Sequence, residues 1–459
     1  MPPTLQPPET RRVAVAAHVG WVVAVLVVAA AITLPDIMSW EVHARNSGTE
    51  FPPLHGYWEP TTGPGTWPAL LLAVLGVVGG RAVAASLPWR WLLMAGFAAS
   101  LAWLLALALV DGQEGLTRVL GNGFEYLGTA RGVSDIGGFL DGFIDRIPNE
   151  ADGNWPIHVA GHPAGATLFF VGLVRIGLGD DLQAALVVTV IAATIPAAVM
   201  VALRALAHGE EEWARRATPF LVFSPAAVFL AVSADAVFAA CAAWGLAALA
   251  VAAVARSRRA MLVASVAAGL LLGACVSMSY GLPLLGILAL AVLWLARSWW
   301  PLPVAAVAAL AVVLALAAWG FAWWEAFPVL VDRYWDGIAS DRPTSYWVWA
   351  NIAALLISMG PMVGAGLAHA LSRWREALPS TTAAPGRRVV LVLALAAVTT
   401  IVIADSTRMS KGEVERIWLP FIPWLTVSLA LLPERWQRPV LALQLSTALL
   451  VQHLLYTSW

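Results

Sequence analysis

Long apolar runs recur along the whole chain, from Val13 to Tyr456. A helix needs about 20 apolar residues to cross the hydrocarbon core of a bilayer, and many of these runs approach that length. Only 12% of the 459 residues are charged, against about 25% in a typical soluble domain. Backbone groups in lipid must pair within their own segment, so the runs are predicted to be helices. The expected fold is an all-α polytopic membrane protein with about 13 transmembrane helices, built as one integral membrane domain over residues 1–459.

Arginine is unevenly distributed among the segments that connect these runs. The short connections hold arginine clusters, at Arg81 and Arg90, Arg256 to Arg259, Arg373 to Arg388, and Arg435 to Arg438. The longer segments 35–66, 111–163, 322–345 and 405–416 are instead rich in Asp and Glu. Because basic connections stay in the cytoplasm, this pattern predicts a cytoplasmic N-terminus and a multi-pass protein of the plasma membrane. The four longer segments are then outer loops, and together they form the candidate active-site face.

The region between His162 and Arg256 contains one candidate span too many. The chain must cross an odd number of times there, yet four apolar stretches are present, Ala164–Leu178, Gln183–Leu203, Pro219–Ala231 and Ala236–Ala255. Ser224-Pro225 and Ser233-Ala-Asp235 interrupt the last two. One half of Pro219–Ala255 is therefore expected to be re-entrant or too short to cross, which is tolerated where protein or water shields the backbone.

A strip of charged residues, Arg408–Trp418, lies between two apolar stretches. It contains Lys411, which is the only lysine of the chain, and also Glu413, Glu415 and Arg416. Ionisable groups at a bilayer surface are costly, so they usually line a site or pair with each other. Lys411 and Arg416 are candidate ligands of a lipid phosphate, oriented by Glu413 or Glu415. The alternative is a closed ion-pair cluster that anchors two helix ends.

Arg342 in the third outer loop is another candidate anion ligand. Its guanidinium group can donate two parallel hydrogen bonds to phosphate oxygens. Alternatively, it pairs with Asp336 or Asp341.

Two histidines end the second outer loop. His158 and His162 have the spacing of two metal ligands on one helix face, but Gly161 and Pro163 argue against a helix there. No metal is predicted, and hydrogen bonding to a substrate or to the loop backbone is expected instead.

Two carboxylates follow the first apolar run and are candidate general bases. Asp36 and Glu41 are expected at the outer surface, where a carboxylate can deprotonate an acceptor hydroxyl. The alternative is that Pro35-Asp36 forms a turn that ends the first helix, with both acids solvated.

Several features together resemble the GT-C superfamily of membrane glycosyltransferases. They are an N-terminal anchor, early acids in the first outer loop, and the motif His162-Pro-Ala-Gly165 at the start of a span, followed by many helices. Three segments look like those of uncharacterised actinobacterial membrane proteins of this type, namely Ser233-Ala-Asp-Ala236, Arg342-Pro-Thr-Ser-Tyr-Trp-Val-Trp-Ala350 and Lys411-Gly-Glu-Val-Glu-Arg-Ile-Trp418.

The resemblance implies a polyprenyl-phosphate sugar as donor substrate. Carried over by position, the base is Asp36 or Glu41, and the phosphate ligand is Arg416, Lys411 or Arg342. The His-Pro-Ala-Gly motif follows the second outer loop in this chain and not the first. Alternatively, the base is one of the acids from Asp135 to Asp145 in the second outer loop, where Asp145 is the candidate.

The predicted function is transfer of a sugar from a polyprenyl-phosphate donor to a glycan or glycolipid acceptor on the outer face of the cytoplasmic membrane. The partners are the lipid-linked donor, membrane lipids and the acceptor, with no cofactor named beyond the donor and no nucleic acid. A transporter or flippase of lipid-linked sugars and a non-catalytic scaffold are the alternatives. A transporter predicts polar residues through the middle of the spans. Apart from Asp235 and a few Ser and Thr the runs lack them, which favours the enzyme.

Overall fold

The computed structural model describes residues 8–45, 50–378 and 384–457. Residues 46–49, which belong to the first predicted outer loop, and residues 379–383 lie outside the described ranges. Within these ranges the chain is mostly helical, with a single pair of short strands. The prediction of an all-α fold is confirmed.

The helices are numbered in chain order. The first ten are α1 (Pro8–Met38), α2 (Thr66–Ser86), α3 (Trp89–Ala108), α4 (Glu114–Gly121), α5 (Tyr126–Gly132), α6 (Ile136–Asp141), α7 (Ile157–Ala160), α8 (Ala164–Arg175), α9 (Asp181–Ala192) and α10 (Ile195–Leu206). The next seven are α11 (Glu212–Val222), α12 (Ala227–Leu230), α13 (Ala234–Ala253), α14 (Arg258–Met278), α15 (Leu285–Ala296), α16 (Pro301–Ala318) and α17 (Trp323–Trp335). The last six are α18 (Thr344–Met359), α19 (Val363–Ser372), α20 (Pro385–Ser406), α21 (Val414–Ile417), α22 (Ile422–Thr426) and α23 (Glu434–Leu454). The strands are β1 (Gly56–Trp58) and β2 (Leu455–Thr457).

Eight helical stretches of the described chain are long and apolar enough to cross a membrane. They are Val15–Met38, Thr66–Ser86, Trp89–Asp111, Asp181–Leu206, Ala234–Ala253, Arg258–Met278, Pro301–Ala318 and Pro385–Ser406. The pair α18 and α19 forms a ninth apolar stretch that is bent by 111°. Three shorter apolar helices cover Ala164–Arg175, Leu282–Ala296 and Ile422–Leu431. These lengths and compositions are those of a multi-pass membrane protein.

Small residues allow neighbouring helices to pack closely. A Cβ atom at Gly269 of α14 would collide with the Ala305 carbonyl of α16, and one at Gly273 would lie 2.7 Å from the Ala309 carbonyl. Such close backbone approach is typical of helix packing in membranes. The other side of α16 exposes large apolar residues such as Val307, which is 69% exposed and faces away from the protein core.

The four long loops meet at one end of the helices. Arg342 of loop 322–345 donates to the His43 carbonyl of loop 35–66 at 2.9 Å, and it pairs with Glu413 of loop 405–416 at 3.3 Å. Arg416 pairs with Glu125 of loop 111–163 at 3.2 Å. Strand β1 pairs antiparallel with β2, so the end of the described chain lies here too. We call this end the loop face.

The arginine-rich short connections meet at the opposite end. Arg215 of α11 donates to the carbonyls of Ala84 (2.7 Å) and Leu87 (2.9 Å), at the end of α2. Arg216 donates to the carbonyl of Leu432 at 2.9 Å. Carbonyls at helix ends have no partner within the helix, so these arginines satisfy groups that would otherwise be unpaired. We call this end the arginine face.

Helix α8 differs from the predicted span Ala164–Leu178. It has 12 residues, and at 1.5 Å per residue it is about 18 Å long, shorter than a hydrocarbon core of about 30 Å. It begins directly after loop 111–163. Its last residue, Arg175, donates to the Ser134 carbonyl of that loop at 3.1 Å, and Arg131 donates to the Gly179 carbonyl at 2.9 Å. Both ends of α8 therefore lie at the loop face.

Two other predicted spans are interrupted. Pro219–Ala231 consists of the end of α11 and the one-turn helix α12. Tyr346–Ala368 is broken between α18 and α19 at Gly360, whose φ of +83° is accessible to glycine without steric cost. Helix α11 begins at the arginine face, and Asp235, after α12, lies at the loop face, 3.2 Å from Arg416. Pro219–Ala231 is thus interrupted, as expected of one half of Pro219–Ala255, and α8 is a further stretch, with both ends at one face.

Candidate functional site

A cavity of about 560 Å³ lies where the loop face meets the helix ends. Part of its wall is polar and includes Asn149, His158, His162, Arg333, Arg342, Glu413 and Arg416. The rest is apolar and aromatic and includes Tyr280, Leu282, Trp323, Phe327, Leu330 and Phe421. A largely apolar cavity with a few polar groups is the usual form of a small-molecule site. This wall fits a ligand that has both an apolar part and a polar head.

Three charged side chains form a buried cluster behind the polar wall. Arg416 of α21 lies 3.2 Å from Glu125 and 3.2 Å from Asp235, and none of the three side chains is more than 3% exposed. Glu125 immediately precedes α5, and Asp235 lies in the first turn of α13, which Ser233 caps. Removing a charge from water costs several kcal/mol, so such charges are retained only when they are paired. The cluster joins loop 111–163, α13 and loop 405–416.

His158 is held by Glu125 at the polar wall. Its Nδ1 lies 2.7 Å from the Glu125 Oε1 atom. Burial alone would raise the pKa of Glu125, but the nearby His158 and Arg416 hold that pKa below its ordinary value. An ionised carboxylate only accepts hydrogen bonds, so Nδ1 carries the proton and donates it. In the neutral ring Nε2 then has the lone pair and can accept a proton from a ligand.

His162 adds a second imidazole to the cavity wall. Its Nδ1 donates to the His158 carbonyl at 3.0 Å, and its ring packs edge-on against Tyr126. Burial lowers the pKa of His162 to about 4, so the ring is uncharged near neutral pH. Gly165, in the first turn of α8, packs directly against the backbone of Ser277. A Cβ atom at this position would collide with that backbone. In the described part of the chain, no group of three or more His, Cys, Asp and Glu is placed to hold a metal ion.

Arg342 and Lys411 each donate a side-chain hydrogen bond to the backbone carbonyl of the other, and so connect loop 322–345 with loop 405–416. Arg342 donates to the Lys411 carbonyl, and Lys411 Nζ donates to the carbonyls of Arg342 (2.9 Å) and Ala339 (3.0 Å). Gly412 follows with a φ of +82°, which glycine adopts without steric cost. Lys411 is only 6% exposed and is not part of the cavity wall. Its contacts are those of a residue that holds the loops in place.

Glu413 contributes a carboxylate to the cavity wall. Its φ of +61° is uncommon for a residue other than glycine. Burial would raise its pKa, but the charges of Arg342, His55 and Arg416 lower the pKa of Glu413 to about 2, so the group is ionised. Glu415 faces elsewhere. It is 1% exposed and accepts a hydrogen bond from the His55 backbone N–H at 2.9 Å.

The three carboxylates predicted as bases, Asp36, Glu41 and Asp145, lie outside the cavity wall. Helix α1 continues through Pro35 to Met38, so Asp36 is on an exposed helical turn and not in a terminating turn. Glu41 and Asp145 are also exposed. The structure brings none of them to the cavity, whereas His158, His162, Arg342, Glu413 and Arg416 line it together.

The predicted residues did not include Glu125, Asp235 or Arg333. Two of them carry a signal in the sequence, because Glu125 and Asp235 are single acids flanked by apolar residues. A lone acid in such a context is expected to be buried, and a buried charge needs a partner. Arg333 carries no comparable signal, since it lies in the mixed sequence of α17.

No protein-family model, curated protein or solved structure matches this chain. The chemistry of the cavity wall is therefore the basis for assigning a function. It provides a proton acceptor at His158, an ionised carboxylate at Glu413 and guanidinium groups at Arg333, Arg342 and Arg416 beside an aromatic surface.

Proposed function

We propose that this chain is a membrane glycosyltransferase of GT-C type. It transfers a sugar from a polyprenyl-phosphate donor to a cell-envelope acceptor on the outer face of the cytoplasmic membrane. The observation that carries the proposal is the cavity, whose apolar wall fits a polyprenyl chain and whose polar wall fits a phosphate and a sugar. The cavity lies at one face of the helices, which favours surface chemistry over transport through the membrane.

The proposed topology has about 13 passes, because broken and short helices also cross. The passes are α1, α2, α3, α9 with α10, α11 with α12, α13, α14, α15, α16, α18 with α19, α20, α22 with the turns that follow it, and α23. His18 of α1 packs 4.3 Å from Trp436 at the arginine face, whereas β2 lies at the loop face. The start of α1 and the end of the described chain thus lie at opposite faces, which supports an odd number of passes. The arginine distribution supports a cytoplasmic arginine face.

Cysteine labelling tests this topology. In a background with Cys241 and Cys275 replaced by alanine, Gly138→Cys and Asp180→Cys should react with an impermeant thiol reagent in intact cells. Ser257→Cys should react only after lysis. All three positions are exposed. Asp180 lies just after α8, so the labelling of Asp180→Cys shows whether α8 crosses the membrane. Protection of Asp180→Cys in intact cells would contradict the placement of α8 at the outer face.

In the proposed reaction His158 is the proton acceptor. The acceptor hydroxyl oxygen forms a bond to the anomeric carbon of the sugar, and the bond from that carbon to the phosphate oxygen breaks. Polyprenyl phosphate leaves with the electron pair, and the hydroxyl proton moves to Nε2 of His158. Glu125 holds the Nδ1–H and stabilises the positive charge that develops on the ring, in the way a carboxylate orients histidine in other catalytic sites. Arg416 helps to keep Glu125 ionised.

Arg333 is the proposed phosphate ligand. It lines the cavity and donates to the carbonyls of Ile147 and Trp155 (3.0 Å for the latter). Among the residues that the structure describes, no carboxylate forms an ion pair with it, whereas Arg342 pairs with one carboxylate and Arg416 with two. Its charge is therefore the least neutralised of the three, and a phosphate gains most by binding there.

Replacing Arg333 with glutamine should weaken binding of a polyprenyl-phosphate hexose by about 10- to 150-fold, because a charge-assisted hydrogen bond contributes about 1.5–3 kcal/mol. Arg175→Gln is the matched control, since Arg175 is also at the loop face and donates to a carbonyl but does not line the cavity. Binding is measured on the purified full chain, with the corresponding polyprenyl alcohol as the second ligand.

Equal losses for the phosphate and the alcohol would contradict the role of Arg333. The function itself is tested by transfer of labelled sugar from polyprenyl-phosphate hexoses and pentoses to envelope extracts. Absence of transfer from every donor, with the folded protein present, would overturn it.

A further inference from the structure

Three aromatic side chains form a continuous part of the cavity wall. Tyr280, after α14, lies 5.5 Å from Trp323 and 5.6 Å from Phe327, both of α17, measured between ring centroids. The rings of Trp323 and Phe327 are stacked at 5.2 Å with an angle of 11°. Aromatic rings combine a large apolar face with, in Tyr and Trp, a polar atom at the edge.

The polar atoms of two of these side chains are buried and unpaired. Within the described residues, neither Tyr280 Oη nor Trp323 Nε1 has a hydrogen-bond partner. Buried Tyr and Trp side chains normally find one, because an unsatisfied polar group is destabilising. Tyr346 and Trp347 follow that rule, since they donate to the carbonyls of Ala31 and Val42, both at 2.8 Å.

We propose that Tyr280, Trp323 and Phe327 form the subsite for the sugar ring of the donor, an inference that rests on the proposed function. A sugar offers hydroxyl oxygens to both unpaired donors and an apolar C–H face to the rings. A polyprenyl chain offers no acceptor, so it would leave Oη and Nε1 unpaired. A phosphate is better satisfied by the arginines on the polar wall, which are charged donors.

The first part of the test measures thermal unfolding of the full chain without lipid ligand. Tyr280→Phe removes only a donor that has no protein partner, so its melting temperature should stay within about a degree or two of wild type or rise. The matched control is Tyr346→Phe, which removes a paired donor and should melt several degrees lower. Equal losses in the two variants would mean that the Tyr280 donor is structural, and would overturn the inference.

The second part measures binding of two lipids, a polyprenyl-phosphate sugar and the same polyprenyl phosphate without its sugar. Each of Tyr280→Phe and Trp323→Phe should weaken binding of the sugar-bearing lipid by about 2- to 13-fold, which is the contribution of one hydrogen bond. Binding of the sugar-free lipid should be unchanged, and Trp347→Phe should bind both lipids like wild type.

The two hypotheses fail in different ways. If wild type prefers the sugar-bearing lipid and the two wall variants keep that preference, the subsite is wrong and the proposed function stands. If the variants lose both lipids equally, the wall holds the chain or phosphate, and the subsite is again wrong. If wild type binds neither lipid in its folded state, the proposed function fails, and the subsite fails with it.

Discussion

Replacing His158 with asparagine should lower the rate of sugar transfer by about 10²- to 10⁴-fold, the usual contribution of a general base. Asparagine keeps a donor for the Glu125 carboxylate, which now lies 2.7 Å from Nδ1. It lacks the basic nitrogen that would accept the hydroxyl proton. Donor binding should therefore change little, and the loss should appear in kcat and not in KM.

The three exposed acids provide the controls. Asp36→Asn, Glu41→Gln and Asp145→Asn should keep transfer rates close to wild type, because none of these side chains lines the cavity. A loss of 10²-fold or more in Asp36→Asn, with an active His158→Asn variant, would return the base to the first outer loop.

Glu125 is a positioning residue in this scheme, and its variant has a distinct signature. Glu125→Gln removes the charge that stabilises a protonated His158, and its amide no longer requires the proton to be on Nδ1. The pH at which activity is half-maximal should shift, which a purely structural contact would not cause. The measurement is the pH dependence of kcat for the variant and for wild type.

Much of the fold is predictable because hydrocarbon imposes a simple rule on the sequence. A helix in lipid must be apolar along its length, so spans such as Thr66–Ser86 and Arg258–Met278 are visible as runs. Breaks and short helices are less visible. Helix α8 is as apolar as a span, and only its contacts with Ser134 and Arg131 show that both its ends lie at the loop face. No local pattern encodes those contacts.

The candidate site was predictable only where its residues are clustered in the sequence. The strip 408–418 pointed to Glu413 and Arg416, and the loop end pointed to His158. The sequence did not predict Glu125 as a partner of Arg416, because the two residues are 291 positions apart in the chain. Asp36 was chosen for its position after the first span, but helix α1 extends beyond Pro35 and leaves that carboxylate on an exposed turn. Long-range pairing and helix ends decide such questions, and neither is local.

The buried cluster gives the largest expected effect on stability. Arg416→Gln leaves the buried carboxylates of Glu125 and Asp235 without the guanidinium group that both contact. Breaking one partner out of a buried ion pair costs about 3–5 kcal/mol, so the variant should unfold at much lower temperature and accumulate poorly. Unfolding of the purified chain is measured without donor. The control is Arg131→Gln, whose partner Asp181 and own side chain are 36% and 41% exposed; it should cost at most about 1 kcal/mol.

This result separates the two interpretations of the charged strip. If Arg416 served mainly as a phosphate ligand, Arg416→Gln would keep its stability and lose donor affinity. A structural cluster predicts the reverse, and it also predicts a rescue. Neutralising all three groups together, as Arg416→Met with Glu125→Gln and Asp235→Asn, removes the uncompensated charges and should restore most of the stability. Transfer should stay low in the rescued protein, because His158 would still lack an ionised carboxylate on Nδ1. A rescued variant with full activity would contradict the role of the Glu125–His158 pair while leaving the ion cluster intact as a structural feature.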